Sequence, residues 1–206
     1  IALFECRGKQ RIPDLWSYFV GLSNPEHGGI RFRGKSWDAM NEEEKEADRL
    51  TIGYAFTGRE KHEAQWIENL DIDENVVLAQ LMNPAHSRSE VDRRLASLLE
   101  SFDLDRLPGE RPSKASSRDS MKAQWIRAFL PEPLFLLILV RPTFEMEDDD
   151  VARLVQQILR ACNEGTAVVW IGEPPSASQV SELDPTIHFE ELPGGLRPVT
   201  RPQRQK

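Results

Sequence analysis

From Leu134 to Val140 the chain runs through apolar residues without alternation, with Pro131, Pro133 and Pro142 around the run. A short, uniformly apolar run of this kind is the pattern of a strand buried on both faces of a parallel sheet, and it is too short to span a bilayer. A second apolar run follows at Thr166 to Ile171. Between the two, Val151, Leu154, Val155, Ile158, Leu159 and Cys162 recur at helical spacing, and Gly165 stands as the stop. Strand, helix, strand in that order predicts a right-handed crossover with parallel strands. The acidic stretch Glu145 to Asp150 leads into that helix at Val151. It lacks the alternating ligands and central glycine of a calcium loop, so it reads as compensation of the helix dipole and no metal is expected.

Upstream, Ile1 to Phe4 reads as a buried strand and Glu5 to Pro13 as a loop. A helix over Asp14 to Leu22 carries Leu15, Trp16, Phe19 and Val20 on its apolar side. Gly28-Gly29 is a turn, and Ile30 to Gly34 alternates like an exposed antiparallel strand. Asn41 caps an acidic helix, Glu42 to Arg49, and Ile52 to Phe56 is a third short strand. From Thr57 to about Pro133 the pattern turns helical and polar. Ser89 is the expected cap of a helix carrying Val91, Leu95, Leu98, Leu99 and Phe102. Leu107 to Ser120 reads as loop, and a helix from about Ser120 to Leu130 carries Trp125 and Phe129 until Pro131 ends it. The whole predicts an α/β fold: a mixed sheet with flanking helices, Leu134 to Val140 central between Ile1 to Phe4 and Thr166 to Ile171, and a helical lobe inserted at about 57–133.

Composition narrows the function. At 206 residues and 39% hydrophobic content the chain can bury a sizeable core as a single domain, drawn here over residues 1–196. A net charge of −8 argues against nucleic acid as a partner. The exception is the tail at 197–206, where Arg197, Arg201, Arg204 and Lys206 stand among prolines. It reads as a flexible, solvated segment, with contact to an anionic surface or partner as the other reading. Cys6 and Cys162 have no paired spacing and fit a reducing, cytoplasmic compartment. No membrane-spanning run is visible, and the opening on Ile1 without an initiator Met reads as an N-terminal truncation.

Several connecting stretches carry a family resemblance. Gly21-Leu22, then Pro25 through Gly34-Lys35, is similar to the G-L, proline, G-x-I-x-F-x-G-K stretch of ABC transporter ATP-binding subunits. Ile52-Gly53-Tyr54-Ala55-Phe56 resembles their I-G-Y-V-F, and Leu70 through Asn75-Val76 resembles L-T-V-x-E-N-V. Arg111-Pro112-Ser113, Arg127-Ala128-Phe129, Pro142-Thr143 and Gly165 through Val169 follow in family order, so the likeness runs from the first strand to about Gly195. It implies a P-loop NTPase-like ABC ATPase fold.

Where that family handles nucleotide, this chain departs. Counting back from Gly21-Leu22, the phosphate loop falls on Cys6 to Asp14, with Ile12, Pro13 and Asp14 at the Lys, Ser and Thr positions and Cys6, Lys9 and Arg11 at the glycines. Such a loop works because small residues let backbone N–H groups reach the phosphates while Lys and a hydroxyl add charge and hold Mg²⁺. Gly8-Lys9 comes too soon after the strand to serve as a shifted pair. Thr57 stands for the glutamine that follows Phe56. Ala115-Ser116-Ser117-Arg118-Asp119 stands for the signature L-S-G-G-Q, keeping only Ser116. At the end of the central strand Val140 and Arg141 replace the magnesium-holding Asp and the general-base Glu, and Glu173 replaces the switch histidine.

The resemblance therefore implies a degenerate nucleotide site at Gly8, Lys9, Arg11, Thr57 and Ser116, with no catalytic residue and no metal ligand. The expected protein is a pseudo-ATPase, a structural or regulatory partner needing no cofactor. The alternative is an ATPase using ATP and Mg²⁺ through Lys9, Arg11 or Arg141. Expected partners are a second copy, a related ABC ATPase subunit, or a membrane permease subunit that would place the chain at the inner membrane. Trp66 and Ile67, apolar residues in a polar stretch, are the expected partner contacts, with packing within the lobe as the competing role for Trp66.

Overall fold

The computed structural model describes residues 1–5, 15–56, 66–143, 146–173, 176, 183, 184 and the backbone of 187–192 and 195–198. Its centre is β5, Leu136–Val140, every residue of which is buried. Period-two geometry explains why the run is apolar throughout. Leu137 and Leu139 enter one core, and Leu136, Ile138 and Val140 enter another on the opposite face. Neighbouring β6, Ala167–Gly172, repeats the division, with Val168 and Trp170 on the first side and Val169 and Ile171 on the second. Between them runs α6, Asp148–Asn163, which buries Val151, Leu154, Val155 and Ile158 and completes the crossover read from the sequence.

The main sheet is mixed. Alongside β1 (Ala2–Glu5), β4 (Ile52–Phe56), β5 and β6 stand β7 (Ile187–Leu192) and β8 (Gly195–Pro198), in the order β4-β5-β6-β1-β7-β8. All neighbours are parallel except β7 and β8. The expected flanking of the central strand needs correction: β5 lies between β4 and β6, and β1 pairs with β6 and β7 instead. What brings β4 to that edge is α5, Ser117–Phe129, lying directly on it. A Cβ on Gly53 would stand 1.7 Å from the Ala128 carbonyl oxygen, so only glycine admits the helix backbone this close. A second correction concerns the basic tail, because β8 takes in Arg197 and Pro198, paired with Glu190 and Phe189.

Ile30 to Gly34 does not join the main sheet. Arg31–Phe32 (β2) pairs antiparallel with Lys35–Ser36 (β3) through a turn in which Arg33 and Gly34 both have positive φ, the conformation a two-residue hairpin requires. With α1 (Leu15–Phe19) and the 3₁₀ turn Trp37–Ala39, this hairpin covers the second face of the sheet. The acidic helix α2, Glu42–Arg49, is closed by the expected Asn41, whose side chain accepts the Glu44 N–H at 2.8 Å.

The first face is covered by α3 (Ile72–Leu81), α4 (Arg88–Ser101), α5 and α6, packed into one core with the sheet. Phe102 stands 5.7 Å from the rings of both Trp125 and Phe129. Three helix starts differ from expectation, each because a cap lies further upstream. Ser87, not Ser89, caps α4, forming a reciprocal box with Glu90. Ser116 caps α5, which begins three residues before Ser120. In α6 the three aspartates form the first turn instead of a loop before Val151.

Candidate functional site

Five parallel strands end on one side of the sheet, and in such sheets ligands bind outside the carboxyl ends. There β1 ends at Glu5, which is buried beside Gly172 of β6, and β4 ends at Phe56 beside Val140 of β5. Val140 is 1% exposed. Arg141 follows with φ of 48° and donates its N–H to the Ile171 carbonyl at 2.8 Å. Glu173 is exposed, and its carbonyl accepts the Trp170 Nε1–H at 3.1 Å. The strand ends thus bring Val140, Arg141 and Glu173 to one edge. Gly8, Lys9, Arg11 and Thr57 lie outside the described residues.

The middle of α5 ties this edge together. Gln124 Oε1 accepts the Phe56 N–H at 2.9 Å, and Trp125 Nε1–H donates to the Pro142 carbonyl at 3.0 Å. Ser116 is spent locally as the helix cap. Its Oγ accepts the Asp119 N–H at 3.1 Å and donates to Asp119 Oδ2 at 2.7 Å.

One turn further in lies a charge cluster that sequence reading missed. Asp150 is 2% exposed and binds Lys122 Nζ at 2.7 Å through Oδ1. Through Oδ2 it accepts from Arg118 Nε at 2.8 Å and Nη2 at 2.7 Å, and Arg118 also reaches Glu147 at 2.9 Å. The bond to Asp150 raises the already high pKa of the Arg118 guanidinium. The acidic run therefore does more than compensate a dipole, since Asp150 joins the starts of α5 and α6. The spacing of Arg118 and Lys122, four apart on one helix face, was the available signal.

Trp66 and Ile67 part company. Trp66 turns inward: its Nε1–H donates to Ser120 Oγ at 3.1 Å and its ring stacks on the Arg127 guanidinium at 4.4 Å. Tyr54 faces the same guanidinium at 5.3 Å, and burial pushes the Arg127 pKa down. Ile67 has its N–H held by Asn75 Oδ1 at 2.8 Å while its side chain is 45% exposed.

No family model matches the chain. Over 152 residues it is 28% identical to the lipoprotein-releasing system ATP-binding protein LolD of Oleidesulfovibrio alaskensis, a match that takes in 72% of this chain and 63% of that protein. The chain thus spans less than two thirds of the length of that curated relative. Among solved structures, the dimeric bacterial ABC transporter cassette MJ0796 superposes with a TM-score of 0.72 at 17% identity, covering 92% of this chain and 79% of that one. An ATP-binding subunit of an ABC transporter gives 0.68 at 20% identity, covering 92% and 74%. CbiO1 of Clostridium perfringens, part of the ABC transporter complex cbiONQ, gives 0.65 at 17%, covering 92% and 72%. The fold is that of an ABC transporter ATP-binding cassette, and the sequence resembles an ABC ATP-binding subunit.

Proposed function

We propose that this cassette-like chain does not hydrolyse ATP and serves as a structural or regulatory partner of an ABC-type assembly. The observation that carries the reading is the end of β5, where apolar Val140 is followed by the cation Arg141. Phosphoryl transfer to water depends on carboxylates that fix Mg²⁺ and orient the attacking water. A buried valine offers no ligand, and a guanidinium repels the metal. The residues at this strand end do not fit a Mg·ATP site of the kind the family builds.

A second copy, a related ABC ATPase subunit or a membrane permease subunit remain the proposed partners, with the exposed Ile67 as contact in place of the inward-facing Trp66. Among the described residues no helix is long and apolar enough to cross a membrane. Attachment to the cytoplasmic side of the inner membrane would therefore run through the permease. Phosphate release by the purified chain at about 1 mM Mg·ATP, the upper range of ordinary KM values, is expected to stay at the blank. Release that Lys9→Ala abolishes would return the chain to the enzymes, with an unconventional ATP site.

A further inference from the structure

Helix α5 is bonded in two directions at once. Toward the sheet, Arg118 and Lys122 hold Asp150 at the start of α6, and the following residues reach the strand ends. Gln124, only 3% exposed, accepts the Phe56 N–H at 2.9 Å where β4 stops. The fully buried Trp125 donates its Nε1–H to the Pro142 carbonyl at 3.0 Å, just past β5. Toward the lobe, Ser120 Oγ accepts the Trp66 Nε1–H at 3.1 Å, and Arg94 of α4 donates to the Phe129 and Leu130 carbonyls at 3.1 and 3.2 Å. Ile67, next to Trp66, has its N–H held by Asn75 of α3 at 2.8 Å, and Phe102 at the end of α4 packs against Trp125 and Phe129. The helix that binds the strand ends is therefore the one that carries the lobe.

Apolar burial resists separation of two elements but is non-directional, so apolar contacts alone let a helix slide or pivot on a sheet. Hydrogen bonds fix a direction, and a buried one costs most when it is left open. Swinging the lobe away from the strand ends would abandon the Phe56 N–H, the Pro142 carbonyl and the Asp150 carboxylate together. Packed interfaces of this kind switch as units instead of deforming gradually. We propose that α5 is a latch: it makes α3 and α4 move with the carboxyl edge of the sheet as one unit, so that a partner pressing on the lobe is felt at Phe56 and Pro142. Nothing in the latch depends on whether the chain handles nucleotide.

Native-state hydrogen exchange of the full chain, followed by NMR, compares the opening of the lobe with that of the sheet. In the unaltered chain the amides of Leu98 in α4 and Ile126 in α5 are expected to be protected as well as that of Ile138 in β5, within about threefold. Gln124→Met with Trp125→Phe leaves apolar side chains at both positions and removes one acceptor and one donor. Each lost bond corresponds to roughly 3–10-fold, so Leu98 and Ile126 should exchange about 10–100-fold faster relative to Ile138. A change that only lowers overall stability would accelerate all three alike. Should the double variant fail to fold, Gln124→Met alone should move the ratio by about 3–10-fold. Lobe amides that already exchange far faster than Ile138 in the unaltered chain, or a ratio that neither variant moves, would overturn the proposal.

Discussion

The two faces of the sheet start from equivalent material and end differently. Strands β5 and β6 send buried aliphatic side chains to both sides. One face is closed by four helices, whose core includes Trp125, Trp170, Phe102 and Ile126, all essentially inaccessible. Among the described residues the other is closed by the five residues of α1, the hairpin of β2 and β3 and the 3₁₀ turn carrying Trp37, with Phe32 stacked on Trp37 at 5.4 Å. Strand composition sets how much must be buried, and the connecting segments set how well. On the side of the described α1 and hairpin Leu22 stays exposed, whereas the four-helix side buries a charged pair.

Leu137→Ala should have the largest effect, about 2–5 kcal/mol by denaturant unfolding, because four helices hold the cavity open around it. Met40→Ala, beneath the thin cover, should fall at about 2 kcal/mol, since its neighbours can collapse. Equal losses would erase the contrast between the faces. Asp150→Asn, second after Leu137→Ala, leaves Lys122 buried beside a neutral amide. Breaking a buried pair costs about 3–5 kcal/mol, and about 2–3 kcal/mol is expected here because half-exposed Arg118 can still pair with Glu147. Lys122→Met with Asp150→Leu should recover most of that loss in the same unfolding assay. If the double variant proves as unstable as the single one, the network has a role beyond mutual neutralisation.

The smallest effect concerns pH. Hydrogen bonds from the Ser87 hydroxyl and N–H lower the Glu90 pKa. A carboxyl with a depressed folded-state pKa contributes stability above its unfolded pKa and loses it as pH falls through the folded one. Amide protection at the start of α4 should therefore decline as the solution is acidified below the usual carboxylate range, and Glu90→Gln should flatten that decline. An unchanged profile in the variant would remove the capping box from the account.

How much was legible in the sequence follows from the range of each interaction. Strand β5 was visible because burial on both faces leaves no alternation, and Asn41 was visible because a cap acts over three residues. The cap of α4 is legible too, because Ser87 has its own Ser-x-x-Glu spacing to Glu90, which Ser89 lacks. The position of β1 was not readable from its four residues, because strand order depends on what packs across the sheet, such as α5 on Gly53. Asp150 was read locally, as part of an acidic run, whereas its partner Arg118 lies 32 residues away. At the candidate site, Val140, Arg141 and Glu173 do meet at the carboxyl edge, since strand ends carry their residues with them.

We propose that this edge does not hold nucleotide. Each lost charge-assisted contact is worth about 1.5–3 kcal/mol, so three such losses would weaken micromolar binding by about 4–9 kcal/mol, beyond the millimolar range. Calorimetric titration of the chain with Mg·ATP tests this directly. The account predicts no saturable heat at cellular nucleotide concentrations; saturable binding with a Kd below about 100 μM, well within ordinary nucleotide affinity, would contradict it.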